Sequence, residues 1–281
     1  MVPHTDLETN MKAFNVGRRL ALDSQQLVDE TPRQSSYAEM LSEKRQILAR
    51  KRGGKRLAQR YVTLVEDAVE TIDVGSDNIH RLLALYVYDL VQFEDLNYAR
   101  IYVEKVKQVH THDSGAYDYR ATKAAIRYLH KVMLIKDEVY VAHLLTSEEK
   151  FARDKELYKV DTQNGDRIKY VHLNRPHFTV MGLDFEADID TRNWQLNLIK
   201  RMKFLRRLLP EWHAKEKAFR EWYISRVIDT FAPPDAEAYD KHLRALECVE
   251  EVRGYREIRY PKMEAAKQIV EGLLGSVTSG Q

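Results

Sequence analysis

The chain has 281 residues, of which 44% are hydrophobic and 31% charged. That is enough apolar material for a sizeable core in one or two domains, with a surface charged enough for solubility. The formal net charge of +2 is too small to argue for nucleic acid without local clustering. No run approaches the roughly 20 apolar residues of a membrane helix. Met1 to Asn10 carries acids and no apolar stretch, which predicts a cytoplasmic chain without a secretory signal.

Helical periodicity dominates the chain in sequence order. Asp6 suits the N-cap of a helix through about Leu22, inside an N-terminal segment 1–30, and Pro32 marks a loop. From Tyr37 to Ile72 the pattern is interrupted by Gly53-Gly54, which separates two helices. Ser76 caps a helix whose apolar residues Ile79, Leu82, Tyr86, Leu90 and Phe93 recur at steps of three and four. After Glu94-Asp95, Ala99, Tyr102, Val106 and Val109 repeat the pattern. A long helix is predicted from Asp118 to Leu145, with Ile126, Leu129, Met133 and Tyr140 on one face, and a shorter one from Ser147 to Tyr158.

Alternation at Ile168, Tyr170 and His172, then at Phe178 and Val180, then at Leu183, Phe185, Ala187 and Ile189, predicts a small antiparallel β-hairpin insert around 167–190. Trp194, Leu198, Met202, Leu205 and Leu209 form a helical stripe ended before Pro210. Trp212, Phe219 and Tyr223 form the next, and Pro233-Pro234 breaks the chain. A helix to about Leu246 and a last one from Lys262 to Leu274 follow. The expected fold is mainly α: a multi-helix, orthogonal or bundle-like body over 31–274 carrying the β insert, with a disordered tail at 275–281.

Chemistry-bearing motifs are scarce. The single cysteine, Cys248, cannot supply the thiolates of an iron–sulfur cluster. Gly53-Gly54 is no phosphate loop, and there is no H-E-x-x-H, no G-x-S-x-G and no G-D-G-type thiamine motif. A free-standing enzyme of a common class is therefore not expected, and no catalytic residue is assigned.

What remains are charges in apolar stripes. Lys136 falls between Met133 and Tyr140, Asp89 between Tyr86 and Phe93, and Glu216 between Trp212 and Phe219. Such charges must snorkel, find a partner or shift their pKa. The ordinary reading is a structural ion pair; the functional one is a contact with a partner chain or ligand. With Asp95 at the helix break and Asp137 and Glu138 beside Lys136, they form the candidate buried or interface set. His213 and Glu216, three apart, resemble half of a di-metal site, but a metal needs matching carboxylates elsewhere. His172 and His177 flank a proline turn that lacks a third ligand, so no metal is assigned.

Two basic runs complete the picture. Lys44, Arg45, Arg50, Lys51, Arg52, Lys55, Arg56 and Arg60 form one; Lys200, Arg201, Lys203, Arg206 and Arg207 form the other. Of these, Lys51, Arg52, Lys55, Arg56, Lys203, Arg206 and Arg207 are the candidate basic contacts, for an acidic protein surface or a nucleic-acid backbone. No aromatic residue interleaves the first run, so nucleic acid is disfavoured.

Several segments, in order, carry a resemblance. Asn10, Ala13-Phe14 and Gly17-Arg18 look like the last helix of a γ-type domain. Phe93-Glu94-Asp95, Tyr98-Ala99 and Tyr102 follow a Y-Q-D-x-x-Y-A-x-x-Y pattern. Lys131-Val132-Met133, Lys136-Asp137-Glu138 and Val141-Ala142 follow K-L-M-x-Y-K-D-E-x-x-V-A. Val252-Arg253-Gly254-Tyr255 and Ile258-Arg259 are similar to a closing R-G-Y-G-H-I-K element. Ile135, Arg256 and Glu257 depart from these patterns. Together the segments resemble the C-terminal, non-catalytic region of the indolepyruvate ferredoxin oxidoreductase family. The resemblance implies an accessory subunit of a 2-oxoacid oxidoreductase complex that binds no cofactor itself. Thiamine diphosphate, iron–sulfur clusters and coenzyme A are then expected on the partner subunits it braces, with ferredoxin a further candidate partner. The alternative is a helical scaffold or nucleic-acid-binding module using the basic runs 44–60 and 200–207.

Overall fold

A computed structural model describes residues 35–275 except 169, 171, 175–176, 181–182, 187–188, 192 and 210, together with residues 11 and 14; side chains are not described for 171–193. The chain divides into two units, Met1–Ser36 and Tyr37–Gln281. Apart from residues 11, 14 and 275, the helix expected within 1–30 and the tail expected at 275–281 lie outside the described residues, as do the side chains of His172 and His177.

The second unit is mainly helical, with twelve α-helices among the described residues. The first two, α1 (Tyr37–Arg50) and α2 (Gly54–Thr71), meet at the glycine pair. Gly53 has φ +70°, and a Cβ on Gly54 would lie 2.0 Å from the carbonyl oxygen of Leu48. Two glycines are thus required, one for backbone handedness and one for close approach. The central helix α3 (Asp77–Phe93) is apolar nearly all round towards its end, where Leu90, Val91, Gln92 and Phe93 are all buried. It packs on α1, α2, α4 (Leu96–Thr111) and α5 (Arg120–Met133). A helix surrounded by helices needs apolar residues on more than one face.

Buried tyrosines tie these helices together. Tyr61 donates to the carbonyl of Ala84 at 3.0 Å, Tyr102 to that of Ile126 at 2.8 Å, and Tyr223 to that of Leu246 at 2.7 Å. Each fills the core with an aromatic ring while its hydroxyl finds a partner, so burial leaves no orphaned donor.

The long helix expected over 118–145 is instead two: α5, and α6 (Glu138–Leu145). The break at Leu134–Lys136 arises because Asp137 acts as the N-cap of α6, accepting from the Tyr140 backbone N–H at 2.8 Å. An aspartate strongly favours that position over a helix interior. Lys136 consequently lies exposed in the break, not on an apolar helical face. Ser147 caps α7 (Glu148–Leu157) as its hydroxyl accepts from Lys150 N–H at 3.1 Å.

Between residues 172 and 191 the backbone forms two antiparallel pairs. His172–Asn174 (β1) runs against Ile189–Thr191 (β4), and His177–Val180 (β2) against Leu183–Glu186 (β3), with Val180 opposite Leu183. Next, the stripe expected as one helix over 194–209 divides into α8 (Asn193–Ile199) and a single turn, α9 (Leu205–Leu208). Trp194 and Leu198 are exposed, while Leu196 between them is buried where α8 packs on α6.

Helix α10 (Ala214–Tyr223) continues through a π-turn, Ile224–Ile228, and α11 (Ala236–Glu247) packs on α5 and on α12 (Arg256–Leu274). The last helix begins six residues earlier than expected, with Pro261 inside it. Pro261 cannot donate, so one intrahelical bond is forgone. No helix among the described residues is long and apolar enough to cross a membrane.

Candidate functional site

Three helix termini converge on one buried arginine. Helix α3 ends at Phe93, and the last carbonyls of any α-helix lack partners within it. Here they are met by cations: Lys203 Nζ lies 2.9 Å from the Glu94 carbonyl and 3.5 Å from that of Val91, and Arg206 Nη1 donates to the carbonyl of Phe93. Positive charge at a helix C-terminus also complements its macrodipole. Helix α4 starts immediately after, capped by Asp95, whose carboxylate accepts from Tyr98 N–H at 2.9 Å. The third terminus is the start of α6, capped by Asp137.

Arg206 engages Asp137 through both prongs of its guanidinium, Nε to Oδ2 at 2.5 Å and Nη2 to Oδ1 at 2.8 Å. Glu94 Oε2 lies 3.1 Å from Nη1, and the guanidinium carbon sits 4.1 Å from the centre of the Phe93 ring. The side chains of Arg206 and Asp137 are 8% and 3% exposed, so neither can fall back on water. Burial opposes the charge, but the bonds and charges of Asp137 and Glu94 hold the guanidinium pKa above its ordinary value. Beneath the pair, Phe93, Ile135 and Tyr140 form their own apolar cluster. The exposed Arg207 adds weaker contacts to Glu94 at 3.1 Å and Asp95 at 3.5 Å.

A second cluster adjoins it. His213 Nε2 lies 3.1 Å from Glu138 and Nδ1 lies 3.6 Å from Glu216, while Tyr260 donates to Glu216 at 3.3 Å. Burial lowers the imidazole pKa, yet the two carboxylates outweigh it and raise it to about 9. Both ring nitrogens of the imidazolium are donors, and each faces a carboxylate. His213 and Glu216 thus form part of an ion-pair cluster, and no metal-binding group occurs among the described residues. The pair links α10 to α6 and α12.

Between the clusters lies a cavity of about 380 Å³ lined by Phe93, Glu94, Tyr98, Ile135, Asp137, Arg206, Arg207, Trp212, His213, Lys217 and Arg220. Tyr98 donates to the carbonyl of Met133 at 2.8 Å, at the end of α5, and accepts from Arg220 at 3.1 Å. The indole N–H of Trp212 is buried with no hydrogen-bond partner among the described residues.

The sequence-derived candidates thus separate. Asp95, Asp137, Glu138, Glu216, Lys203, Arg206 and Arg207 belong to this one region. Asp89 does not: it lies 3.4 Å from His130 Nε2 and lines a different cavity. The basic runs divide between inward and exposed positions. Lys203 and Arg206 turn inward, and Lys44 is buried between Glu43 and Glu149, 2.9 Å from each. Lys51 reaches Gln92 at 2.5 Å, while Arg52, Lys55 and Arg56 stay exposed. Lys217, Arg220 and the role of Trp212 were not singled out from sequence. Their available signal was the three-residue spacing of Lys217 and Arg220, which places both on one helical face.

Fold and site together define a mainly helical protein organised around a buried arginine–carboxylate centre. The sequence profile of the Family of unknown function (DUF6537) matches residues 79–272, and the chain belongs to that family. The matched span contains every residue of the two clusters and excludes the first basic run. No curated protein and no solved structure matches the chain.

Proposed function

We propose that this chain is an accessory, non-catalytic subunit of an indolepyruvate-type 2-oxoacid:ferredoxin oxidoreductase complex, bracing its thiamine-diphosphate and γ-type subunits. The observation that supports a bracing role is a set of exposed large apolar side chains in the segment that also carries Lys203 and Arg206. Trp194 is 64% exposed, Leu198 58%, Phe204 53% and Leu208 66%. Large apolar side chains gathered within one short stretch mark protein-contact surfaces. The charge clusters that this segment enters consist of mutually neutralised charges that hold helix ends in place, which suits a rigid support for such a surface.

The family resemblance supplies the partner. Two of its segments, Phe93-Glu94-Asp95 and Lys136-Asp137-Glu138, meet at Arg206. Thiamine diphosphate, iron–sulfur clusters and coenzyme A would reside on the other chains, in the cytoplasm. The strand pairs around 167–190 are taken, in the same proposal, as a hairpin insert carried by the helical body. The nucleic-acid alternative has less support, because Lys44, Lys203 and Arg206 are engaged internally. Affinity capture of the tagged chain from its native host tests the proposal. Thiamine-dependent oxidoreductase subunits are expected with it, and recovery without any of them would reject the reading.

A further inference from the structure

Helix α8 turns apolar side chains in two directions. Leu196 is buried where α8 packs on α6, while Trp194 and Leu198, four residues apart and so on one face of α8, are exposed. Leu144, near the end of α6, is exposed as well. Helices that lie in a lipid interface immerse an apolar face over many turns. Helix α8 has seven residues, and one of its leucines is committed to α6, so lipid is a poor match for this face. A nucleic-acid backbone offers charge but no apolar counterpart to Leu198 and Leu144.

The two basic runs, far apart along the chain, converge at this place. His143, one residue before Leu144, has its pKa lowered to about 4, by burial first and then by the charges of Lys51, Lys203 and Lys200, with Glu149 acting the other way. Lys51 is bonded to Gln92, and Lys203 to the carbonyls that end α3. Lys200 and Arg201, which follow α8 directly, make no side-chain hydrogen bond or ion pair among the described residues. Burial first, then the charge of Arg201, lowers the Lys200 pKa; Glu148 opposes this but is itself set 3.7 Å from Arg50. We propose that the exposed face of α8, with Leu144 of α6, docks an amphipathic helix of a partner protein. The apolar side of that helix covers Trp194, Leu198 and Leu144, and its flanking Asp or Glu side chains meet Lys200 and Arg201. Apolar anchors exclude water, while the charges at their edge select and orient the partner. The inference rests on the bracing reading for the presence of a partner at α8, and adds the chemistry of the segment that touches it.

The test places photo-reactive benzoylphenylalanine at position 198 of the full chain in its native host and sequences the cross-linked peptide. The same residue at position 258, where Ile258 is exposed on α12, serves as the control. The expected product is a partner segment with apolar residues at helical spacing and Asp or Glu beside them, captured from position 198 and not from 258. Lys200→Glu with Arg201→Glu should lower that yield about ten-fold. Neither side chain has a bond to lose, so the double variant should fold as the unmodified chain does. Cross-linking to lipid, to nucleic acid, to this chain or a second copy of it, or to a segment without acidic residues overturns the inference. So does an undiminished yield in the double variant, or no cross-link at all. An acidic helical segment from a protein other than a thiamine-dependent oxidoreductase subunit would uphold this inference and reject the identity proposed for the complex.

Discussion

Arg206 and Asp137 lie 69 positions apart in sequence and meet through two parallel hydrogen bonds at 2.5 and 2.8 Å. Asp137 simultaneously caps α6, and Arg206 simultaneously caps the carbonyl end of α3. One ion pair therefore decides where two helices stop and start.

Removing one partner should be costly. Arg206→Met leaves Asp137 as an uncompensated buried charge and Glu94 with only the exposed Arg207, and a loss of about 3–5 kcal/mol is expected in urea unfolding. Arg206→Lys should recover only part of this, because an ammonium cannot reproduce the two-pronged geometry. A loss within about 0.5 kcal/mol, the range of ordinary surface changes, would remove the pair from its central place.

The His213 clamp should give stability a pH dependence on the alkaline side. Its pKa is about 9 when folded, against an ordinary 6.5. A raised folded pKa means that the contribution is complete below about pH 6.5 and disappears as pH rises through about 9. The full effect is on the order of 3 kcal/mol. Denaturation from pH 6 to 10 should show this decline in the unmodified chain and a flatter profile in His213→Gln.

Gly53 and Gly54 should respond differently to alanine. At Gly54 the new methyl meets the Leu48 backbone carbonyl, which cannot rotate away, and about 2–3 kcal/mol should be lost. At Gly53 nothing lies within 4 Å, so the cost is that of left-handed backbone alone, about 1 kcal/mol. Thermal unfolding of both variants gives the order directly.

Trp194→Asp with Leu198→Asp should leave stability within about 0.5 kcal/mol, since both residues are already exposed. The same double variant should lose the captured oxidoreductase subunits. Retained capture would shift the contact surface away from α8.

Much of the helical body was legible along the chain. The repeats at Ile79 to Phe93 and at Ala99 to Val109, the glycine break and the Ser147 cap all rest on contacts within a few residues. Asp137 shows where this kind of reading fails. The apolar spacing of Met133 and Tyr140 continues across it, so periodicity alone merged two helices and placed Lys136 on a buried face. The cap that divides them is local chemistry, but it competes with a pattern that points the other way. At Trp194 and Leu198 the helical stripe faces outward and Leu196 between them is buried instead, while the segment beyond is anchored by Lys203 and Arg206.

By itself, then, the sequence determined helix content, most helix boundaries and the lack of familiar catalytic motifs, because propensity, capping and periodicity act over one or two turns. Only the tertiary structure decided which charges pair. Whether Arg206 faces a partner or the carbonyls of α3, and whether His213 carries a proton, depends on carboxylates brought from distant segments. Their burial, and not their spacing along the chain, sets the strength of each interaction.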